Sequence, residues 1–228
     1  MLRKLYIFLG KNEEKAYKFF IEEKSFPFYI YIFLFIKSFF SFIESIIRNI
    51  SGPGGFFIRR QYYKLVFKKI GKDVLIDVGV IFNGAHNISC GDKVWFDCYS
   101  VFSIQLGNLI IGNQVHIHTH TFIGGKETIQ LDDMSAISSG SKIFSGSIII
   151  PNKKDDILSP VTQANPNLMN YGKVWLKRNA VVLANCTVSP GVTMEEGSML
   201  LSNSFLNKST KKFGIYLGVP AKFLGKRL

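Results

Sequence analysis

Histidine is scarce in this chain and unevenly placed: of His86, His116, His118 and His120, three fall within five positions. An imidazole with an ordinary pKa near 6.5 is mostly the free base at neutrality, so it can take a proton from a bound nucleophile. A base of this kind typically contributes roughly 10²–10⁴-fold in rate. The alternation 116, 118, 120 also has a metal reading, because alternate residues on a flat strand share a face and imidazole is a common zinc ligand. That reading needs a strand that stays flat over five residues, and the repeat described below turns a corner within that distance. No metal is expected. His86 lies near an early corner and reads as structural.

Other chemistries are excluded by what is missing. Cys90, Cys98 and Cys186 have neither metal-ligand spacing nor an even number to pair, which suits a reducing compartment and so the cytoplasm. There is no Gly-rich phosphate loop ending in Lys and Ser or Thr, and no dinucleotide fingerprint. Lys and Arg total 28 against 16 Asp and Glu, a formal net charge of +12, which points to an anionic partner. No nucleic acid is expected, since the basic residues are not interleaved with an RNA-binding signature or a helix-turn-helix pattern. Hydrophobic residues make up 47% of the 228 positions, which excludes intrinsic disorder.

The frame that must position the histidines is a period of six. Leu176, Val182, Val188, Met194 and Leu200 lie six apart, and the small or compact residues Ala180, Cys186, Val192, Ser198 and Ser204 follow each at the fourth place. Earlier blocks run Ile70, Ile76, Phe82, Ile88; then Cys90, Phe96, Phe102; then Ile111, Ile117, Ile123, Ile129; then Leu131, Ile137, Ile143, Ile149. Neither the helical period of 3.6 nor strand alternation produces this spacing. A short strand and a corner every six residues wind as a triangular prism, three hexapeptides per coil, each coil pairing with the next as parallel strands. Ile117 then points inward, so His116 and His118 point outward. Residues 151–173 interrupt the phase and read as an inserted loop.

Residues 1–51 are different. Lys37, Ser41, Glu44 and Arg48 fall on one helical face opposite Phe39, Phe40, Phe42, Ile43, Ile46 and Ile47, an amphipathic helix. The uncharged run at 26–36 spans roughly 16 Å as helix, short of the roughly 30 Å needed to cross a bilayer. With Arg59, Arg60, Lys64, Lys68, Lys69 and Lys72 close behind, three readings stay open: binding a membrane surface, capping the prism, or joining subunits. Ser51-Gly52-Pro53-Gly54-Gly55 punctuates the boundary, giving a helical region 1–51 and a prism 52–228.

Three segments resemble the hexapeptide-repeat acyltransferases, and within them the O-acetyltransferases of bacterial surface-polysaccharide biosynthesis. Gly52-Pro53-Gly54-Gly55 with Arg59-Arg60-Gln61-Tyr62-Tyr63 is similar to the start of their prism. Ile111-Gly112-Asn113-Gln114-Val115-His116-Ile117 and Ile137-Ser138-Ser139-Gly140-Ser141-Lys142-Ile143 are similar to its central coils. Ile215-Tyr216-Leu217-Gly218-Val219-Pro220-Ala221-Lys222 is similar to its closing signature. Many members place a histidine or paired aspartate shortly after the position of Ser145, where Gly146-Ser147-Ile148-Ile149-Ile150 stands here.

The resemblance implies a mainly β, left-handed parallel β-helix and a homotrimer. It implies acetyl-CoA as acyl donor, held through Gly218, Pro220, Ala221 and Lys222. It implies His116 as general base with His118 as the nearest alternative, and an acceptor site drawing on His120, Asp155 and Asp156. The acceptor implied is a sugar hydroxyl of a surface polysaccharide or its lipid-linked precursor, reached from the cytoplasm or from a peripheral position on the inner face of the membrane. Transfer to the amine of an amino sugar needs a similar base, and a non-catalytic β-helix scaffold uses the same repeat, so both stand as alternatives.

Overall fold

The fold follows from the sixfold spacing. In the computed structural model, which describes residues 3–4, 28–149 and 168–227, strands mostly two or three residues long alternate with corners and stack into three sheets. The first face pairs Leu75–Ile76, Trp95–Phe96, His116–Ile117, Ala136–Ile137, Val181–Val182, Met199–Leu200 and Gly214–Gly218 in parallel, and the antiparallel strand Ala221–Lys226 closes it. The second face stacks Ile81–Asn83, Val101–Ser103, Phe122–Gly124, Lys142–Phe144, Thr187–Val188 and Phe205–Leu206. The third stacks Ile88–Cys90, Leu109–Ile111, Ile129–Leu131, Val174–Leu176 and Thr193–Met194. The result is a β-solenoid of about six turns.

Register explains the core. Ile76, Phe96, Ile117, Ile137, Val182 and Leu200 stand above one another on the first face, and Phe82, Phe102, Ile123, Ile143, Val188 and Leu206 on the second, all buried. Each strand of these two faces contributes one inward apolar side chain, while most strands of the third contribute two, such as Leu109 with Ile111 and Ile129 with Leu131, so neighbouring layers interlock at close-packed density. Small hydroxyl residues fill the narrowing beside the corners: Ser141 Oγ donates to Leu183 O at 2.8 Å and Ser100 Oγ to Asp97 O at 2.8 Å. On another corner the side chain of one coil accepts the backbone N–H of the coil before it. Asp92 Oδ1 takes Lys72 N at 2.7 Å, Asn113 Oδ1 takes Asp92 N at 2.9 Å, and Asp133 Oδ1 takes Asn113 N at 2.7 Å. These bonds satisfy corner amides that no strand partner reaches.

Two features depart from the sequence reading. The chain between Gly52 and the first strand is helical: α1 (Phe28–Asn49) ends, Ser51 serves as the N-cap, and α2 (Gly52–Val66) follows with Pro53 in its first turn, where a missing N–H costs nothing. Gly55 is required there, because a Cβ would meet Ile50 O at 2.0 Å. Tyr63, Val66 and Phe67, from α2 and the residue after it, close the open end of the prism over Phe82, Phe96 and Phe102, with ring centroids 4.7 Å apart for Tyr63 and Phe82. The second departure is Ile149. It is 47% exposed and lies outside the core, so the apolar phase of its block stops at Ile143. The chain leaves the prism at Gly146, earlier than residue 151. Gly146–Ile148 pairs antiparallel with Met169–Tyr171, and Gly172 N donates to Ser145 O at 3.1 Å before the coil resumes at Val174.

If burial in the interlocked layers holds the prism, Ile123→Ala should lower unfolding stability by about 2–5 kcal/mol, the usual cost of a buried aliphatic truncation. Ile110→Ala, on the outer surface of the third face, should stay within about 0.5 kcal/mol. Urea denaturation of both variants checks this contrast.

Candidate active site

The first face carries the candidate histidines His116 and His118. Its strands Trp95–Phe96 and His116–Ile117 pair in parallel, Trp95 opposite His116 and Phe96 opposite Ile117. One residue on, Asp97 N donates to Ile117 O at 2.9 Å, which brings Asp97 beside His118. The inward Phe96 and Ile117 force Trp95, Asp97, His116 and His118 to the outer surface.

There the carboxylate of Asp97 lies beside both imidazoles. Oδ1 lies 3.1 Å from His116 Nε2, and Oδ2 lies 3.5 Å from His118 Nδ1. Trp95 stacks on His116 with ring centroids 4.6 Å apart and planes 8° apart, and His116 stacks on His118 at 3.8 Å. An ionised carboxylate only accepts, so Nε2 is the protonated nitrogen of His116 and Nδ1 keeps the free lone pair. Each of the three side chains is partly open, between 18% and 37% exposed. The arrangement resembles the aspartate-histidine half of a hydrolytic triad: the acid fixes tautomer and ring orientation and stabilises the imidazolium once a proton arrives.

His118 has its pKa pushed below the usual imidazole value. Burial is the main cause, the neighbouring His116 adds to it, and the Asp97 carboxylate opposes both. Both imidazoles therefore face one shared anion, but only one pair has hydrogen-bond geometry.

The remaining candidate residues fall elsewhere. His120 sits on the corner at φ 57°, beside Tyr99 at 5.7 Å, in the column of turning residues that continues through Gly140, Asn185 and Asn203. Thr119 donates its single hydroxyl proton to Cys98 O at 2.7 Å, so His120 Nδ1, 2.7 Å from Thr119 Oγ1, is the donor in that contact. His120 thus takes no part in the Asp97 cluster. Asp155 and Asp156 lie outside the described residues. Gly218, Pro220, Ala221 and Lys222 form the turn between Gly214–Gly218 and Ala221–Lys226, with Gly218 N donating to Ser204 Oγ at 3.0 Å and Lys222 exposed. This hairpin continues the face that bears His116, four coil spacings on, or roughly 19 Å along the axis. An elongated donor molecule can lie between the two.

Asp97 was not among the candidates from sequence. Its signal was available: it follows the inward Phe96 as His118 follows the inward Ile117, so aligning the coils sets the two residues side by side. The Asp97, His116 and His118 atoms also lie within 4.8 Å of one another, close enough to converge on a cation. The sequence objection to a three-histidine site holds for His120 but does not cover this set, in which an aspartate from the previous coil takes the third place.

No family model matches the chain. Among curated proteins it is similar to dTDP-4-amino-4,6-dideoxy-D-glucose acyltransferase of Escherichia coli, 28% identical over 167 residues, 73% of this chain and 86% of that protein. Among solved structures it is similar to AntD, an N-acyltransferase from Bacillus cereus in complex with dTDP and 3-hydroxybutyryl-CoA. The TM-score is 0.63 and the identity 25%, covering 74% of this chain and 87% of that one. A hexapeptide-repeat acetyltransferase from Vibrio cholerae, complexed with acetyl coenzyme A, has a TM-score of 0.56 at 13% identity over 79% of this chain and 80% of that one, a likeness of fold alone. The resemblance read from the hexapeptides is therefore borne out. All three are acyltransferases, the two solved structures hold a coenzyme A thioester, and two of the three are named for a sugar or a nucleotide complex rather than for polysaccharide.

An NMR titration of the imidazole signals should place the His118 midpoint below that of a free imidazole, since burial favours the neutral form. Asp97→Asn removes the influence that favours the cation, so the His118 midpoint should fall further. An upward movement would contradict the arrangement.

Proposed function

We propose that the chain is a coenzyme A-dependent acyltransferase whose acceptor is the amine of an amino sugar carried on a nucleotide, with His116 as general base. The observation that carries this reading is the Asp97 carboxylate holding His116 with one ring nitrogen free on the outer face of the prism. The sugar-hydroxyl acceptor favoured by sequence gives way to the amine, because the relatives include an acyltransferase of a dTDP-linked amino sugar and an N-acyltransferase holding dTDP.

In the proposed reaction the amine nitrogen attacks the thioester carbonyl carbon, and the tetrahedral oxyanion collapses with cleavage of the carbon–sulfur bond. The nitrogen gives its proton to His116 Nδ1, and the departing thiolate takes that proton, so the products are the amide and free coenzyme A. Asp97 stabilises the imidazolium between these two transfers. The donor would run along the first face toward Gly218, Pro220, Ala221 and Lys222, where an exposed lysine suits a phosphate. Stacking on Trp95 restricts the His116 ring, so little orientation entropy is lost when the acceptor binds.

Thiol release from acetyl-CoA and 3-hydroxybutyryl-CoA should be seen with a dTDP-linked amino sugar and not with its hydroxyl analogue. His116→Ala should lower turnover by roughly 10²–10⁴-fold with donor affinity nearly unchanged. A severe His118→Ala with a mild His116→Ala would move the base by two residues. No coenzyme A binding by calorimetry at millimolar ligand would leave only the scaffold reading.

A homotrimer is part of the same proposal, since the resemblance sets each active site between two prisms and flat sides suit threefold packing. Sedimentation equilibrium should give a three-chain mass, and a fully active monomer would refute it.

A further inference from the structure

Helix α1 rests on the protein through the side that bears Phe33 and Glu44 and leaves a line of apolar residues outward. Glu44 Oε1 accepts the Tyr63 hydroxyl at 3.0 Å, and Phe33 is buried. On the other side Phe28, Ile32, Phe35, Phe39, Phe42 and Ile46 form one line along the helix at steps of four, three, four, three and four, between 47% and 78% exposed. At roughly 150–250 Å² per aromatic side chain, the four phenylalanines alone leave roughly 500 Å² bare. A patch of that size on an ordinary soluble chain marks an interaction surface.

We infer that this stripe is a docking surface for an anionic lipid membrane, with α1 lying in the plane of the interface. Three observations favour lipid over a second copy of the chain. The positions flanking the stripe are Tyr29, Ile36 and Ile43 on one side and Tyr31, Ser38 and Ser45 on the other, with no charge to set a helix–helix register. The exposed residues of α2 and of the segment just after it interleave Phe57, Ile58 and Leu65 with Lys64, Lys68 and Lys69, the mixture that suits an apolar boundary beneath negative head groups. The chain as a whole carries +12, complementary to an anionic leaflet. No described helix is long and apolar enough to cross a membrane, so the contact is with one surface.

The anchor is clamped to the prism. The buried Arg59 donates to Ile50 O at the end of α1 and, at 2.7 Å, to Ile76 O in the first coil, while Gly79 N donates to Arg48 O at 3.0 Å. Membrane docking would therefore hold Asp97 and His116, one and two coils further on, at a set height above the lipid, within roughly 10 Å along the axis from the first coil. The inference does not depend on the acceptor proposed above.

Flotation of the full chain with phosphatidylcholine vesicles, with and without phosphatidylglycerol, tests it. The protein should float with the anionic vesicles, weakly with the neutral ones, and less as salt is raised. Phe35→Glu with Phe39→Glu should reduce flotation by roughly tenfold or more, because charge is placed on the face that enters the interface. Lys64→Ser with Lys68→Ser should weaken it several-fold and flatten its salt dependence. Both double variants change exposed residues only, so an unchanged melting temperature shows that a loss of binding is not unfolding. Failure of the wild-type chain to float with anionic vesicles would overturn the inference. So would equal flotation of the Phe35→Glu, Phe39→Glu variant, or a fall in its sedimentation mass without any lipid binding by the parent, which assigns the stripe to a second copy.

Discussion

Parallel pairing of each coil on the one before is the constraint from which everything else follows. It sets residues from adjacent coils directly above one another, at about the 4.8 Å spacing of hydrogen-bonded strands. An inward isoleucine therefore lands on an inward phenylalanine, a corner aspartate lands on the amide it must satisfy, and an outward histidine lands beside an outward aspartate. The core, the corners and the candidate catalytic group are three columns of the same ladder. A shift of one residue in a coil would turn its inward side chain to solvent, and in either coil that bears them it would separate Asp97 from His118.

That ladder explains what could be read from sequence and what could not. The sixfold recurrence of Leu176, Val182, Val188, Met194 and Leu200 is a local pattern, and it is enough to infer the prism and the outward direction of His116 and His118. Ile149 fits the pattern but not the fold, because spacing records where a residue would point if the coil continued, whereas the chain has already left the prism at Gly146. The helix α2 was hidden by Gly52, Pro53, Gly54 and Gly55, residues that usually break structure. Here proline stands in a first turn and Gly55 admits the close approach of Ile50 O. Asp97 was hidden because its partners lie about twenty residues away and are adjacent only between coils.

The candidate site also shows how a surface made of short strands can place an imidazole accurately. No strand on this face before Gly214–Gly218 is longer than two residues, and none could hold a side chain firmly alone. His116 is held by contacts on two coils: the stacked Trp95 ring and the Asp97 carboxylate at Nε2, both from the coil before, and the stacked His118 ring from its own. The same carboxylate lies near His118, whose burial favours the neutral form. Two imidazoles beside one anion therefore differ in environment.

The antiparallel ribbon at Gly146–Ile148 and Met169–Tyr171 has a different kind of consequence. The chain departs and returns at neighbouring points of a single corner, since Gly172 N bonds Ser145 O, so the stack above and below keeps its pairing whatever lies between. Closing a longer flexible loop costs only about 0.6 kcal/mol for each doubling of its length. The length of this excursion can therefore change at little cost to the coils, while the ladder that aligns Asp97 with its histidines stays intact, leaving variation and fold maintenance to separate parts of one chain.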